Sequence, residues 1–268
     1  MKGIASQPSL AVGWTTDAGK VRSQNEDTAF VITAAHSSDE SIPAFGLGVL
    51  ADGMGGHQSG EVASSVAVRR VADYVIRQFY VPSLTSQERG TSQPSLNDLL
   101  VDAVREANQA VLRDAPGGGT TLTCALLLGR RVYIAHVGDS RAYLVDQDGM
   151  EQITRDHSLA DRLIEMGQLS LEEAVDHPQR NVLYRAVGQD SALDVDIHVR
   201  TMPCGTRLLL CSDGLWSEVT EDMIQKMVMD TPSLQSACDR LVEAANTAGG
   251  HDNATAILMQ VALGCGEE

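Results

Sequence analysis

The chain has 268 residues, 43% of them hydrophobic and 21% charged, the composition of an ordinary globular protein with a sizeable core. Its 36 acidic against 20 basic side chains give a formal net charge of -16, which leaves no basic stripe for a phosphate backbone and argues against a nucleic-acid partner. Five widely spaced cysteines without a CxxC pattern argue against a disulfide framework or a zinc site and for a reducing cytoplasm. No apolar h-region opens the sequence, and no apolar run approaches the roughly 18 to 20 residues of a membrane helix, so no membrane segment is expected within the chain.

Residues 11–16 and 28–33 read as strands, separated by the turn-rich "DAGKVRSQNED". The continuous apolar run 45–51 reads as a central strand. It ends in the glycine loop "ADGMGGH", residues 51–57, after which a helix is expected from about Ser59 to Phe79 with Val62, Val66, Val71 and Val75 on one face. A polar loop with two prolines, 81–94, leads to a second helix. Ser95 and Asp98 form its capping box, and Leu96, Leu100, Val104, Ala107 and Val111 line one face.

The period then changes. Residues 121–128, 131–137 and 141–146 read as three strands in an antiparallel meander, and 196–200 and 207–212 as two more. The mixed segment of about 155–190 is an insertion holding a short helix near 159–166. Helices follow Val219 and span Ser233 to about Thr247, and the chain returns in a last strand, 254–261. No repeat or linker divides it, which predicts one α+β domain with helices on the outer faces of its sheets.

Aspartates recur where apolar strands begin or end: Asp27, Asp52, Asp139, Asp213 and Asp252, with Glu26 beside the first. Asp and Gly are the commonest turn residues, and turn chemistry accounts for any one of these sites. Their joint occurrence carries a second reading. If the strand ends meet, the carboxylates repel and their pKa values rise. An oxygen-only ligand cluster then suits Mg²⁺ or Mn²⁺. Two such ions lower the pKa of a shared water and clamp a phosphoryl group.

Six stretches carry a resemblance: "VRSQNED" (21–27), "ADGMGGH" (51–57), "GGTTLTCALL" (118–127), "AHVGDSRAYL" (135–144), "CSDGLW" (211–216) and "GGHDNAT" (249–255). In this order and spacing they resemble the metal-dependent Ser/Thr protein phosphatases of type 2C, the PPM family, in its bacterial branch. The resemblance runs from about residue 10 to 262. It implies a central β-sandwich of two antiparallel sheets flanked by helices, one catalytic domain over 1–268, and a flap at about 155–190. It also implies hydrolysis of phosphoserine and phosphothreonine in proteins by a water or hydroxide bridging two Mn²⁺ or Mg²⁺ ions.

The resemblance assigns residues as well. Asp52 would bridge the two ions and Gly53 would offer its carbonyl to one. Asp213 and Asp252 would complete the other, and Glu26 and Asp27 would act through bound water. Arg22 would hold the substrate phosphate, for which a planar bidentate donor is suited. Asp139 with Asp213 would form a third metal position, and Asn181 in the flap matches a side chain that reaches that metal or the substrate in some bacterial members. Phosphorylated proteins, a Ser/Thr kinase among them, would be the partners of a cytoplasmic monomer. Met54 stands where eukaryotic relatives have a His proposed as general acid.

Two further functions compete: a catalytically weak relative that binds phosphoproteins, and an acidic Ca²⁺-binding structural domain. The complete acidic set opposes the first, and the lack of an EF-hand loop opposes the second. His57, near Asp52, reads as a helix-start residue or as a side chain supporting the ligands from behind. His251 reads as structural, His136 and His198 as core or surface histidines, and Asp146 with Asp148 as a hairpin turn.

Overall fold

The computed structural model describes residues 9–35, 43–55, 58–85, 95–170, 173–174 and 177–262. Strands β1 (Ser9–Asp17), β11 (Ala254–Ala262), β10 (Arg207–Cys211), β7 (Arg141–Val145) and β8 (Met150–Gln152) lie side by side in one sheet. The second sheet holds β2 (Asp27–Ala34), β3 (Phe45–Met54), β5 (Leu122–Leu128), β6 (Arg131–Val137) and β9 (Asp196–Thr201), and the two-residue β4 (Gly119–Thr120) pairs with the end of β3. Every pairing is antiparallel.

Helices cover both outer faces, which gives the expected α+β sandwich. Alternation along the strands builds three apolar layers. Leu47, Val49 and Ala51 of β3 face Val71 and Val75 of α1 (Gln58–Val75) and Leu100 and Val104 of α3 (Leu96–Asp114). Leu50 faces the other way and joins Leu127, Ile134, Leu208, Leu210, Ile257 and Met259 between the sheets. Leu209 and Cys211 of β10 face Ile224 of α6 (Glu221–Asp230) and Leu241 of α7 (Leu234–Ala248). A strand apolar on both faces is what a layer buried on both sides requires, which is why 45–51 and 208–211 read as unbroken apolar runs. Gly48 leaves room for this contact: a Cβ there would stand 3.0 Å from Met259 Sδ.

Four local expectations are revised. The first helix does not stop at Phe79. It passes through one π-helical turn, Ile76–Tyr80, into α2 (Val81–Thr85), so the start of the expected 81–94 loop is helical. Val62 is 42% exposed, and the buried stripe of α1 is Ala63, Ala67, Val71 and Val75. The meander is broken: β5 pairs with β6, but β7 crosses to the other sheet and pairs with β10. Cys124, Cys211 and Cys238 are buried free thiols, as the lack of a disulfide framework implies, but Cys204 is disulfide-bonded, which the cysteine spacing did not predict.

Other expectations hold. Ser95 Oγ accepts from the Asp98 N–H at 3.2 Å, and Asp146 Oδ1 accepts from the N–H groups of Asp148 and Gly149 in the β7–β8 turn. The insertion carries its short helix, α4 (Leu159–Glu165), which Ser158 caps by accepting from the Asp161 N–H. Among the described residues, no helix is long and apolar enough to cross a membrane. His57 and part of the 81–94 segment lie outside the described residues.

Candidate active site

The chain crosses between sheets at one end of the sandwich, and the aspartates gather there. Asp27 opens β2 and stands directly opposite Asp52 near the end of β3. Asp139 lies in the crossing from β6 to β7, just after Gly138, whose φ of +110° is open to glycine. Asp213 is the first residue of the four-residue helix α5 (Asp213–Trp216), one residue beyond the end of β10, and Asp252 is separated from the start of β11 by Asn253 alone. An open cleft of roughly 470 Å³ is lined by Arg22, Glu26, Asp52, Gly53, Asp139, Asn181, Asp213 and Asp252. Of the predicted site residues, only Asp27 is missing from that lining. It is buried beneath it, at 7% exposure.

This arrangement is electrostatically unfavourable on its own. Opposed like charges on paired strands repel. Burial, then the neighbouring carboxylates, hold the Asp52 carboxyl well above the ordinary range. Asp139 is also raised well above it by burial and Asp213, and Asp213 is raised by burial and Asp252. Asp27 is pushed up to about 7, mainly by burial, although Ser212 Oγ at 2.8 Å and Thr255 Oγ1 at 2.6 Å donate to its Oδ2. Asp27 Oδ1 and Asp213 Oδ1 are buried without a hydrogen-bond partner. A buried acceptor left unpaired costs about 1–3 kcal/mol, so such atoms in a native site call for a ligand.

The orphaned oxygens and the all-oxygen donor set fit a hard divalent cation. Among the described residues no three His, Cys, Asp or Glu side chains close round one point. Each ion would then take one or two carboxylates and complete its shell with water and backbone oxygen, the habit of Mg²⁺ and Mn²⁺. Gly53 suits the close approach. A Cβ there would crowd against the Gly60 carbonyl oxygen at 2.3 Å, so no side chain fits.

Arg22 stands at the mouth, its side chain 55% exposed and its Nη2 2.6 Å from Asp252 Oδ2. That hydrogen bond holds its guanidinium in the charged form. Residues not singled out from the sequence keep this rim in place. Asn253 Oδ1 accepts from the Glu26 N–H at 2.8 Å, and its Nδ2 donates to the carbonyls of Ala18 at 3.0 Å and Gln24 at 2.9 Å. One amide thus ties the loop bearing Arg22 and Glu26 to Asp252. Thr121 Oγ1 accepts from the Asp52 N–H at 2.9 Å. The only sequence signal for Asn253 is a polar side chain at the mouth of an apolar strand, and its three partners lie at the far end of the chain.

Met54 lines the cleft and offers no proton; its Sδ accepts from Gln189 Nε2 at 3.7 Å. His251 bonds through Nδ1 to Glu218 Oε1 at 2.8 Å. His136 is fully buried between Thr123 Oγ1 and the Arg155 carbonyl, and burial pushes it down to about 3.

Residues 23–259 match the family model of protein phosphatase 2C. A serine/threonine phosphatase of Listeria innocua is 37% identical over 91% of this chain and 93% of its own length. The solved serine/threonine phosphatase PstP/Ppp of Mycobacterium tuberculosis is 33% identical, with a TM-score of 0.77 over 95% of this chain and 99% of that one. A structure of the PstP catalytic domain in complex with two manganese ions gives a TM-score of 0.74 at 33% identity, over 95% and 99% of the two chains.

Proposed function

Because the chain belongs to the protein phosphatase 2C family, we propose that it hydrolyses phosphoserine and phosphothreonine in proteins, with two Mn²⁺ or Mg²⁺ ions held by Asp52, Gly53, Asp213 and Asp252. The observation that carries this reading is the convergence of strand-end carboxylates with raised pKa values and two orphaned oxygens beneath an arginine. When bound, the ions make a water nucleophilic near neutral pH and offset the charge of the phosphoryl group.

Arg22 binds the substrate phosphate. Its present partner is the Asp252 carboxylate, and a phosphate dianion offers the same planar fork two oxygens. Released from Arg22, the Asp252 carboxylate would be free to hold a metal ion. Asp27, held by Ser212 and Thr255, and Glu26 orient water at the floor and rim of the cleft. Asp139 and Asp213 are the pair for a third ion, and Asn181 brings the flap to the same cleft. With Met54 at the wall, no side chain is assigned as general acid, and a metal-bound water would be the simplest proton source for the departing alkoxide. Phosphorylated proteins, a Ser/Thr kinase among them, are the substrates this reading assigns to a cytoplasmic monomer.

Purified protein with Mn²⁺ should hydrolyse both p-nitrophenyl phosphate and a phosphothreonine peptide; failure on both sinks the proposal. Arg22→Ala should raise KM for the peptide by about tenfold or more with a smaller change in kcat, the signature of lost ground-state binding. An unchanged KM removes Arg22 from the site.

A further inference from the structure

The two segments that carry Asp139 and Asp213 are joined by a tryptophan. Trp216 is the last residue of α5, whose first residue is Asp213, and its indole Nε1–H donates to the Asp139 carbonyl at 3.1 Å. The indole is itself held. The Arg141 guanidinium carbon lies 3.5 Å from the ring centroid. That guanidinium is fixed on three sides: Nε and Nη2 donate to Asp156 Oδ2 at 3.0 and 2.8 Å, and Nη1 donates to the Tyr143 hydroxyl at 3.0 Å. Asp156 is 3% exposed, Arg141 19%. A planar cation stacked on an indole with little water around it is a stiff support.

The preceding residue is clamped as well. The Gly138 N–H donates to His157 Nδ1 at 3.0 Å, and the His157 N–H returns a bond to the Gly138 carbonyl at 2.7 Å. Asp156 and His157 therefore grip the Asp139 loop together, one through Arg141 and Trp216, the other directly.

We propose that Trp216, seated on Arg141, is a positioning residue that holds the Asp139 loop in register with Asp213 and so tunes metal binding at that pair more than at the Asp52 centre, which shares only Asp213 with it. The proposal rests on the reading of Asp139 and Asp213 as metal-binding acids. A residue with only a packing role would shift every metal step together, or shift stability alone. A strut between two particular carboxylates shifts the step they share.

Stepwise Mn²⁺ binding, measured by calorimetry on metal-free protein, tests this. The Asp139-dependent step is first identified as the one lost in Asp139→Asn. Trp216→Phe keeps a ring on Arg141 and removes the N–H. It should weaken that step about tenfold, leave the tighter steps within about twofold and change the metal-free melting temperature by only a few degrees. Arg141→Lys keeps the charge facing Asp156 but not the stacked plane, and should act in the same direction; it carries the test if Trp216→Phe does not fold. An unaltered Asp139-dependent step, or equal weakening of all steps, overturns the proposal. A wild-type isotherm with two ions and no Asp139-dependent step also overturns it while the two-ion reading stands, whereas a protein that binds no Mn²⁺ at all sinks both.

Discussion

Asp52→Asn should make the metal-free protein more stable at neutral pH and the metal-loaded protein nearly inactive. Asp52 lies across from Asp27, with Asp213 and Asp139 close enough to raise its pKa further. The amide keeps the shape and removes one charge from that group. Relief of the repulsion should appear as a higher melting temperature in EDTA, at about 2–4 °C per kcal/mol for a chain of this size. Turnover should fall by at least about 10²–10³-fold, the scale for losing one preorganised electrostatic group, and Mn²⁺ affinity should fall with it. Opposite movement of stability and activity marks a residue kept for its function. A variant with wild-type Mn²⁺ affinity and more than a tenth of the activity would place the centre elsewhere; one that is inactive and also less stable would make Asp52 a structural residue.

Much of this was legible in the sequence because the signals were local. The apolar run at 45–51 marked a central strand, 207–212 read as a strand, and the Ser95–Asp98 box marked the start of α3. The strand-end aspartates were visible as a recurring position, and the structure does bring Asp52, Asp139, Asp213 and Asp252 to one cleft. What escaped depends on partners remote in sequence. Asn253 holds Ala18, Gln24 and Glu26, and the one local signal, a polar side chain at the mouth of an apolar strand, does not name these partners. The departure of β7 from the meander was hidden for a similar reason. Three short strands with tight turns look alike whether the third pairs with the second or crosses to another sheet. That crossing is what carries Asp139 to the site. Val62 fits the helical period but faces outward, because smaller residues beside it, Ala63 and Ala67, make the close contact.

The metal-free protein should also lose stability as pH rises from about 5 to 8, and Mn²⁺ should cancel that loss. Asp27 has a folded pKa of about 7 against an ordinary 3.8, and Asp52, Asp139 and Asp213 are shifted in the same direction. A carboxyl raised on folding contributes stability below its unfolded pKa and loses it as pH climbs through the folded value. Over that window the native state binds more protons than the unfolded chain, so unfolding becomes easier, by about 1.4 kcal/mol for each pKa unit traversed. The buried histidines act with the opposite sign. His136, pushed down to about 3, and His157, lowered by burial, resist protonation in the fold, so they subtract stability as pH falls below about 6.5. A single pH curve therefore mixes two trends. The comparison with and without Mn²⁺ separates them, because the ion displaces protons from the carboxylates, while His136 and His157 contact other groups. The rise in melting temperature at a fixed excess of Mn²⁺ should be small near pH 5.5 and grow steadily to pH 8, with proton release on binding measurable by calorimetry in buffers of different ionisation heat. A rise that is the same at both ends of the range, with no protons released, would mean that these carboxylates are already ionised in the metal-free protein, and burial would then not be what governs their protonation.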